Sequence, residues 1–368
     1  MDNILSANKP HLPSSTTATT SPPRNISSFL MKNHYKDINS IKSFVKDCSK
    51  FNEDLEILNY LNSGSCGIVY AGRLKRNPNN YVALKFILNK NLLQHKREQQ
   101  HQHNIKRIQK EIALQTKLKH KNIVALYGSY ELAESSFCIV MELANYGDLA
   151  LFQKILKLKY LSETFLAYIA KQILNALNFC HKSKIIHMDI KQQNILINDQ
   201  LSAKLTDMSV SFSYASFPEG SQIVLPLAGT SLFMSPEVLN QKTIIVDDCE
   251  KIDLFSLGML LYNLAFCDYP YGLCFEDKKK FDVIREKIAK NELVIPVRHS
   301  QMFRFFISGL LNKNIKHRMN IKTALEHPWI KASNILFDEK EKISDLRKFL
   351  THLLRDNITA FNVAVGKK

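Results

Sequence analysis

The densest chemistry in the chain lies in His187-Met-Asp189-Ile-Lys191-Gln-Gln-Asn194, where eight residues hold a carboxylate, an amine and an amide. A carboxylate here can accept a hydrogen bond from a hydroxyl and orient it. An amine beside it can neutralise a γ-phosphate, and an amide oxygen can ligate Mg²⁺. Asp207 follows thirteen residues after Asn194, beyond the apolar stretches ILI and AKL. It offers the second hard oxygen ligand that would bridge metal and phosphates. Upstream, Asn62-Ser63-Gly64-Ser65-Cys66-Gly67-Ile-Val69 reads as a glycine turn between strands. Such a turn lets backbone N–H groups approach phosphate oxygens without a Cβ clash, although alone it is as often a plain hairpin. Lys85, in Val82-Ala83-Leu-Lys85, sits on the next strand, where an ammonium suits the α- and β-phosphates. A buried lysine needs a carboxylate partner, and Glu111 on the following helix is the candidate. Together these are the parts that phosphoryl transfer from a nucleotide requires.

The elements that carry them can be read in order. From Phe51, LEILNYLNSGSCGIVYAGRL reads as strand, glycine turn, strand. YVALKFIL is a third strand, set off by the turn RNPNN. The Gln- and His-rich NLLQHKREQQHQHNIKR is expected to be a solvated low-complexity insertion. Its His95, His101 and His103 lack the Cys or acidic companions of a metal site. IQKEIALQTKL has the apolar spacing of a helix, and IVALYGSY and SFCIVMEL are two more strands. From Ala150 the pattern is mostly helical, as in ETFLAYIAKQILNALNFCHK and DLFSLGMLLYNLAF. A strand-rich N-terminal lobe therefore precedes a helical C-terminal lobe, an α+β arrangement. Residues 1–48, with SSTTATTSPPRNISS, cannot bury enough apolar surface to offset chain entropy and are expected to be disordered. After Trp329, KISDLRKFLTHLL puts Leu346, Phe349, Leu350, Leu353 and Leu354 on one helical side. That helix is expected to pack on the helical lobe, with binding of a partner as the alternative.

In these motifs the chain resembles the eukaryotic protein kinase family, whose pattern is G-x-G-x-x-G-x-V, V-A-I-K, a glutamate on the αC helix, H-R-D-x-K-x-x-N, D-F-G and A-P-E. Here NSGSCGIV, VALK, Glu111, HMDIKQQN, DMS and Ser235-Pro236-Glu237 stand in the same order. The resemblance spans 55–332 and implies a bilobed protein-kinase fold. The N-lobe, 55–143, would be an antiparallel β-sheet plus αC; the C-lobe, 144–332, would be mainly helical, with a helical extension over 333–368. His120-Lys-Asn-Ile123 is similar to the family's H-P-N-I and supports Glu111 as the αC glutamate. IVMELANYGDL resembles the hinge. That implies Met141 as gatekeeper, Glu142 and Ala144 as backbone contacts for adenine, and Asp148 as a ribose ligand. Val69, Ala83, Leu149 and Leu196 would enclose the adenine ring, and Asn62, Ser63, Gly64, Ser65, Cys66 and Gly67 would cover the phosphates beside Lys85 and Glu111. Asp189 and Lys191 become the catalytic pair, and Asn194 and Asp207 the metal ligands. Asp253 resembles the residue that holds the catalytic loop, and Arg318 the partner of Glu237. Lys191 and the run Gly229-Thr230-Ser231-Leu-Phe-Met-Ser-Pro-Glu237 are of serine/threonine type, with Thr230 expected to bond Asp189 and Lys191. The implied activity is transfer of the γ-phosphoryl of ATP, with Mg²⁺, to Ser/Thr hydroxyls of protein substrates. The alternative is a kinase-fold scaffold that binds nucleotide without turnover, which typically lacks at least one of the catalytic groups.

The departures concern control more than chemistry. Asn62 replaces the first loop glycine, a mild change because Asn tolerates positive φ. Cys66 stands at the loop tip, more often a small tip residue than a redox handle. Met188 replaces the arginine that contacts a phosphorylated activation loop, so activity is expected to depend weakly on such phosphorylation. Met208 can fill the place of the D-F-G phenylalanine, and Ser209 is less permissive than its glycine. Gln115, four residues after Glu111, stands where an apolar residue is usual and needs partners if buried.

Composition narrows the rest. The chain has 368 residues, 45% hydrophobic and 23% charged, which is ordinary for a globular protein. No apolar run approaches a membrane span, and the start lacks the n-region and apolar core of a secretory signal. Its seven cysteines are scattered without C-x-x-C spacing, which fits reduced thiols in the cytosol or nucleus. A mitochondrial location is the weaker alternative, since the acid-poor first fifty residues hold one arginine, Arg24. The net charge of +16 comes from lysines spread along the chain, and no nucleic-acid signature stands out. It hints at acidic or pre-phosphorylated substrates; Asp148, and Glu142 if its side chain faces out, are the acids that would select a basic peptide instead.

Overall fold

Apolar, β-branched and aromatic residues between Leu55 and Leu74 build an antiparallel pair, β1 (Leu55–Gly64) and β2 (Gly67–Leu74), with Leu55 opposite Leu74 and Gly64 opposite Gly67. In this computed structural model the described residues are Val45 and 48–64, 67–87, 98–132, 136–155, 160–198 and 200–337. They gather in two units: one takes residues up to Lys119 together with Val124–Tyr146, and the other takes His120–Ile123 and the chain from Gly147.

In the first unit, β3 (Asn77–Ile87) continues the sheet beside β2. The sequence suggested a turn over RNPNN, but the turn is only Lys75 and Arg76, and the strand begins at Asn77. Leu74 faces Asn77 while Arg73 faces Tyr81, so the extra residues form a bulge. A bulge tolerates Pro78, which has no N–H for the ladder. Helix α2 (Glu98–Lys117) then starts inside the segment expected to be a solvated insertion, whose Gln, Lys, Arg and Glu residues are good helix formers. Strands β4 (Leu126–Leu132) and β5 (Ser136–Glu142) complete a five-stranded sheet in the order β1-β2-β3-β5-β4.

This unit has a cap that the sequence did not suggest. A short helix, α1 (Ser49–Asp54), precedes β1. Val45, within the segment assigned to the disordered tail, is buried with Phe51, Leu55, Tyr70, Phe86 and Tyr130. Phe51 meets Tyr130 edge-on at 5.5 Å between centroids and Phe86 at 6.0 Å. The Asn52 side chain donates to the Val45 carbonyl at 2.8 Å. Apart from Val45 and Cys48, the segment 1–48 lies outside the described residues, as do Ser65, Cys66, His95 and the amphipathic segment beyond Phe337.

The second unit is mainly helical, as expected. It comprises α3 (Leu149–Ile155), α4 (Glu163–Lys182), α5 (Pro236–Leu239), α6 (Glu250–Phe266), α7 (Phe281–Lys290), α8 (Gln301–Leu310), α9 (Ile321–Glu326) and α10 (Pro328–Phe337). Ser162 caps α4 by accepting from Phe165 N–H. α6 is apolar nearly all round, the mark of a central buried helix, and Asp253 is the charged group it buries completely. Short strands brace the loops: β6 (Ile185–Ile186) pairs with β9 (Phe212–Ser213), β7 (Ile195–Ile197) with β8 (Ala203–Leu205), and β10 (Gln222–Val224) with β11 (Thr243–Ile245). Arg318 grips Glu237 through two bonds, of 2.8 and 3.3 Å, with its guanidinium over Phe255. No helix among the described residues is long and apolar enough to cross a membrane.

The cap makes a clear prediction. Phe51→Ala should cost about 3–5 kcal/mol, as deletion of a fully buried aromatic does, read as a lower urea midpoint. An unchanged midpoint would show that α1 is not part of the folded core.

Candidate active site

The groups read from the sequence fall on both units. In the first, the Lys85 ammonium lies 2.6 Å from Glu111, with side chains 9% and 5% exposed. β3 sets Lys85 between Val69 on β2 and Ile139 on β5, while α2 brings Glu111 to it. Each charge buried alone would be costly, so the pair fixes the helix against the sheet. Gln115 lies on the same helical face, one turn on. It is buried, donates to the Val124 carbonyl at 3.3 Å and approaches the Met141 sulfur at 3.9 Å. The acceptors that a buried amide N–H requires are therefore present.

Other residues of this unit differ in detail from the reading. Asn62 is extended opposite Val69, so its tolerance of positive φ is not used; its side chain accepts from Ser63 N–H at 2.8 Å. Ser63 also accepts from the Tyr60 hydroxyl. Gly67 does have positive φ, and a Cβ there would strike the Phe86 carbonyl. Its glycine is thus required by the approach of β3, whatever binds the loop. Ala83 lies opposite Met141. The Glu142 carboxylate does not project outward but accepts from Ala125 N–H at 3.2 Å. Ala144, just past β5, is buried, and its N–H meets no backbone carbonyl among the described residues. A buried N–H of this kind suits a ring acceptor such as that of adenine.

In the second unit Asp189 is the hub. Its Oδ2 takes the Lys191 ammonium at 2.6 Å and the Asn194 amide at 3.0 Å, and its Oδ1 takes the Thr230 hydroxyl at 2.7 Å. Lys191 also donates to Thr230 at 2.9 Å, and Asn194 to the Asp189 carbonyl at 2.8 Å. Both amide hydrogens of Asn194 are thereby committed to Asp189. Its carbonyl oxygen remains, a hard donor that fits Mg²⁺. Asp207 follows β8 with a left-handed φ of 69° and accepts from Ser209 N–H at 3.4 Å. Met208 beside it is buried. Leu196 on β7 is bridged to Asp148, and Leu149 is buried. Asp148 itself caps α3, accepting from Leu151 N–H at 2.9 Å; burial pushes its carboxyl up against that bond.

Asp253 holds the loop that carries Asp189. Its oxygens accept from the backbone N–H groups of His187 and Met188 at 2.9 and 2.8 Å and from His181 Nε2 at 2.8 Å. Burial is the largest influence on this carboxyl and works against charge. The His181 hydrogen bond, the nearby imidazoles and the His187 N–H outweigh it and hold the group below its ordinary range. Met188 takes a left-handed φ of 67°, and a Cβ on Gly229 would strike its carbonyl. His187 accepts from Asp189 N–H through Nδ1 and donates to the Thr206 carbonyl through Nε2, at 3.2 and 3.0 Å.

A family model described as the protein kinase domain matches residues 55–330. The chain belongs to the protein kinase family. Its relatives place it in the serine/threonine branch. The kinase is 34% identical over 275 residues to Aurora kinase of Schizosaccharomyces pombe, covering 75% of this chain and 71% of that one. It is 33% identical over 290 residues to the serine/threonine-protein kinase TIO of Arabidopsis thaliana, covering 78% of this chain but 20% of TIO. It is 30% identical over 275 residues to human ULK1, of which it spans 24%. The kinase thus spans a small part of its longest relatives. Sequence reasoning passed over His181 and Asn122. Asn122, quoted only as a landmark, ties Gln172 and the Ala203 carbonyl at 2.9 Å each, which seats β8 before Asp207. The only signal for His181 was a polar ring among the apolar residues that end the buried side of an amphipathic helix.

Gln115→Leu should leave the Val124 carbonyl without its donor and lower stability by about 1–3 kcal/mol, measured by denaturant unfolding. A stabilised variant would mean that the amide is an unfavourable substitute for hydrocarbon at this position.

Proposed function

We propose that the kinase is active and transfers the γ-phosphoryl group of ATP to serine or threonine hydroxyls of proteins. The observation that carries this reading is the hydrogen-bond set on Asp189. Two donors meet Oδ2 and one meets Oδ1. A carboxylate has about four acceptor sites, so Oδ1 keeps one for an incoming hydroxyl. That hydroxyl donates to Oδ1, which aims its oxygen at the γ-phosphorus. As the new P–O bond forms, the proton passes to Asp189 and ADP departs with the electrons of the broken bond. Lys191 lies where its charge offsets that of the phosphoryl in flight. Lys85, held by Glu111, would take the α- and β-phosphates. Asn194 and Asp207 would hold Mg²⁺, which supplies charge neutralisation to the phosphates when bound. The cytosol or nucleus is the proposed location, in keeping with cysteines that form no disulfide among the described residues.

Activity without activation-loop phosphorylation is the second element of the proposal. Met188 is apolar and buried, so it offers no charge to a phosphate. Bonds that need no phosphate hold the segment after Asp207. Tyr214 donates its N–H to the Lys184 carbonyl at 2.9 Å and its hydroxyl to the His181 carbonyl at 3.1 Å. The β10–β11 ladder is extended by Val246 N–H to the Ser221 carbonyl at 2.9 Å.

Incubation with Mg-ATP and a generic protein substrate should give turnover that falls by about 10²–10⁴-fold in Asp189→Asn. Nucleotide binding without turnover, indifferent to that substitution, would identify a scaffold instead. Replacing Ser213, Ser216 and Ser221 together by Ala should keep the wild-type rate; a collapse would restore a role for loop phosphorylation.

A further inference from the structure

Around α7 nearly every charge has a partner. Asp277 pairs with Lys287, Asp282 with Arg285 and Glu286 with Lys290, each at 2.7 Å. Lys280 lies in the field of Glu276, and the Lys278 ammonium sits over the Phe275 ring at 5.4 Å. Lys279, like Lys278 and Lys280, is exposed with no carboxylate in ion-pair reach among the described residues, and it differs from them in how its backbone is placed. Its position is fixed by the backbone. It has a left-handed φ of 73°, and its N–H donates to the Ser231 hydroxyl at 3.3 Å. Ser231 follows Thr230, whose hydroxyl is bonded to Asp189. The backbone of a lysine that has no ion pair is therefore anchored to Ser231, the residue after the one bonded to the catalytic carboxylate.

Each of the two acids that would favour a basic peptide has one oxygen committed to a local N–H. Glu142 accepts from Ala125 N–H, and Asp148 from Leu151 N–H. The catalytic loop presents amides in their place: Gln192, bonded to Asn263 at 2.7 Å, and the exposed Gln193. The catalytic loop thus offers amides beside Asp189 where an acid would favour a basic peptide.

The geometry points to Lys279 as a specificity-determining residue that takes an acidic side chain, carboxylate or phosphate, close to the accepting Ser or Thr of the protein substrate. This rests on the kinase reading above and names the substrate class for it.

The test uses one Ser-acceptor peptide in four forms, with Asp, phosphoserine, Asn or Lys at the neighbouring positions, and the full chain as wild type, Lys279→Asn and Lys279→Glu. Asn tolerates the left-handed backbone, so Lys279→Asn carries the comparison if Lys279→Glu folds poorly. Wild type should favour an acidic over the neutral form in kcat/KM by about threefold to fivefold, the range of an exposed ion pair. The ratio should fall towards one in Lys279→Asn, shift towards the Lys peptide in Lys279→Glu, and shrink with added salt. Whether the Asp or the phosphoserine form gives the larger ratio separates carboxylate from phosphate recognition. Turnover with the same ratio in all three proteins, or a wild type that favours the Lys peptide, overturns the inference. Absence of turnover on every form overturns the kinase reading, and this inference with it.

Discussion

A single buried carboxylate organises the catalytic half of this protein. Asp253 sits on an otherwise apolar helix, fully removed from water, and accepts from two consecutive backbone N–H groups and one imidazole. The two N–H groups belong to His187 and Met188, so the bonds clamp the chain one residue before Asp189. They help hold Met188 in a left-handed conformation that a non-glycine residue resists. That conformation turns the chain and aims Asp189 at Lys191, Asn194 and Thr230. The cost of burying a charge is offset at one point and made useful at another. Everything the Asp189 cluster does depends on that anchoring.

Around the anchor, two positions depart from the family's pattern. Met188 is packed in the interior in place of the arginine, and the segment after Asp207 is held by the backbone ladder of β10 and β11. On α2, an amide stands in place of hydrocarbon at Gln115. A ladder and an amide bond are always present, whereas a phosphate-dependent contact exists only after modification.

Much of this was legible before any coordinates. Spacing alone brought Asp189, Lys191 and Asn194 together, because eight residues of one loop cannot scatter far. Lys85 and Glu111 could be paired because a buried ammonium requires a carboxylate and few were available. The strands and helices followed from period, and their order from the same reading. Edges were less visible. The start of β3 depended on a bulge that admits Pro78, and Val45 owed its burial to aromatic partners from distant strands rather than to its polar neighbours. Side-chain direction was the least legible of all. Glu142 and Asp148 looked open, and each also accepts from a local N–H group that the sequence did not reveal. His181 could not be picked out, since its role exists only opposite Asp253.

The amide at Gln115 has a consequence for chemical selectivity. A small molecule that extends past Met141 with hydrocarbon gains most by meeting hydrocarbon there. Here such a group would meet a side chain already bonded to the Val124 carbonyl and directed at the Met141 sulfur. Displacing that amide would strand a carbonyl in a dry interior, a penalty that greasy contact does not recover. Compounds carrying a donor for Val124 would avoid it. A kinase with an apolar residue at this position would present no such penalty to the same compound.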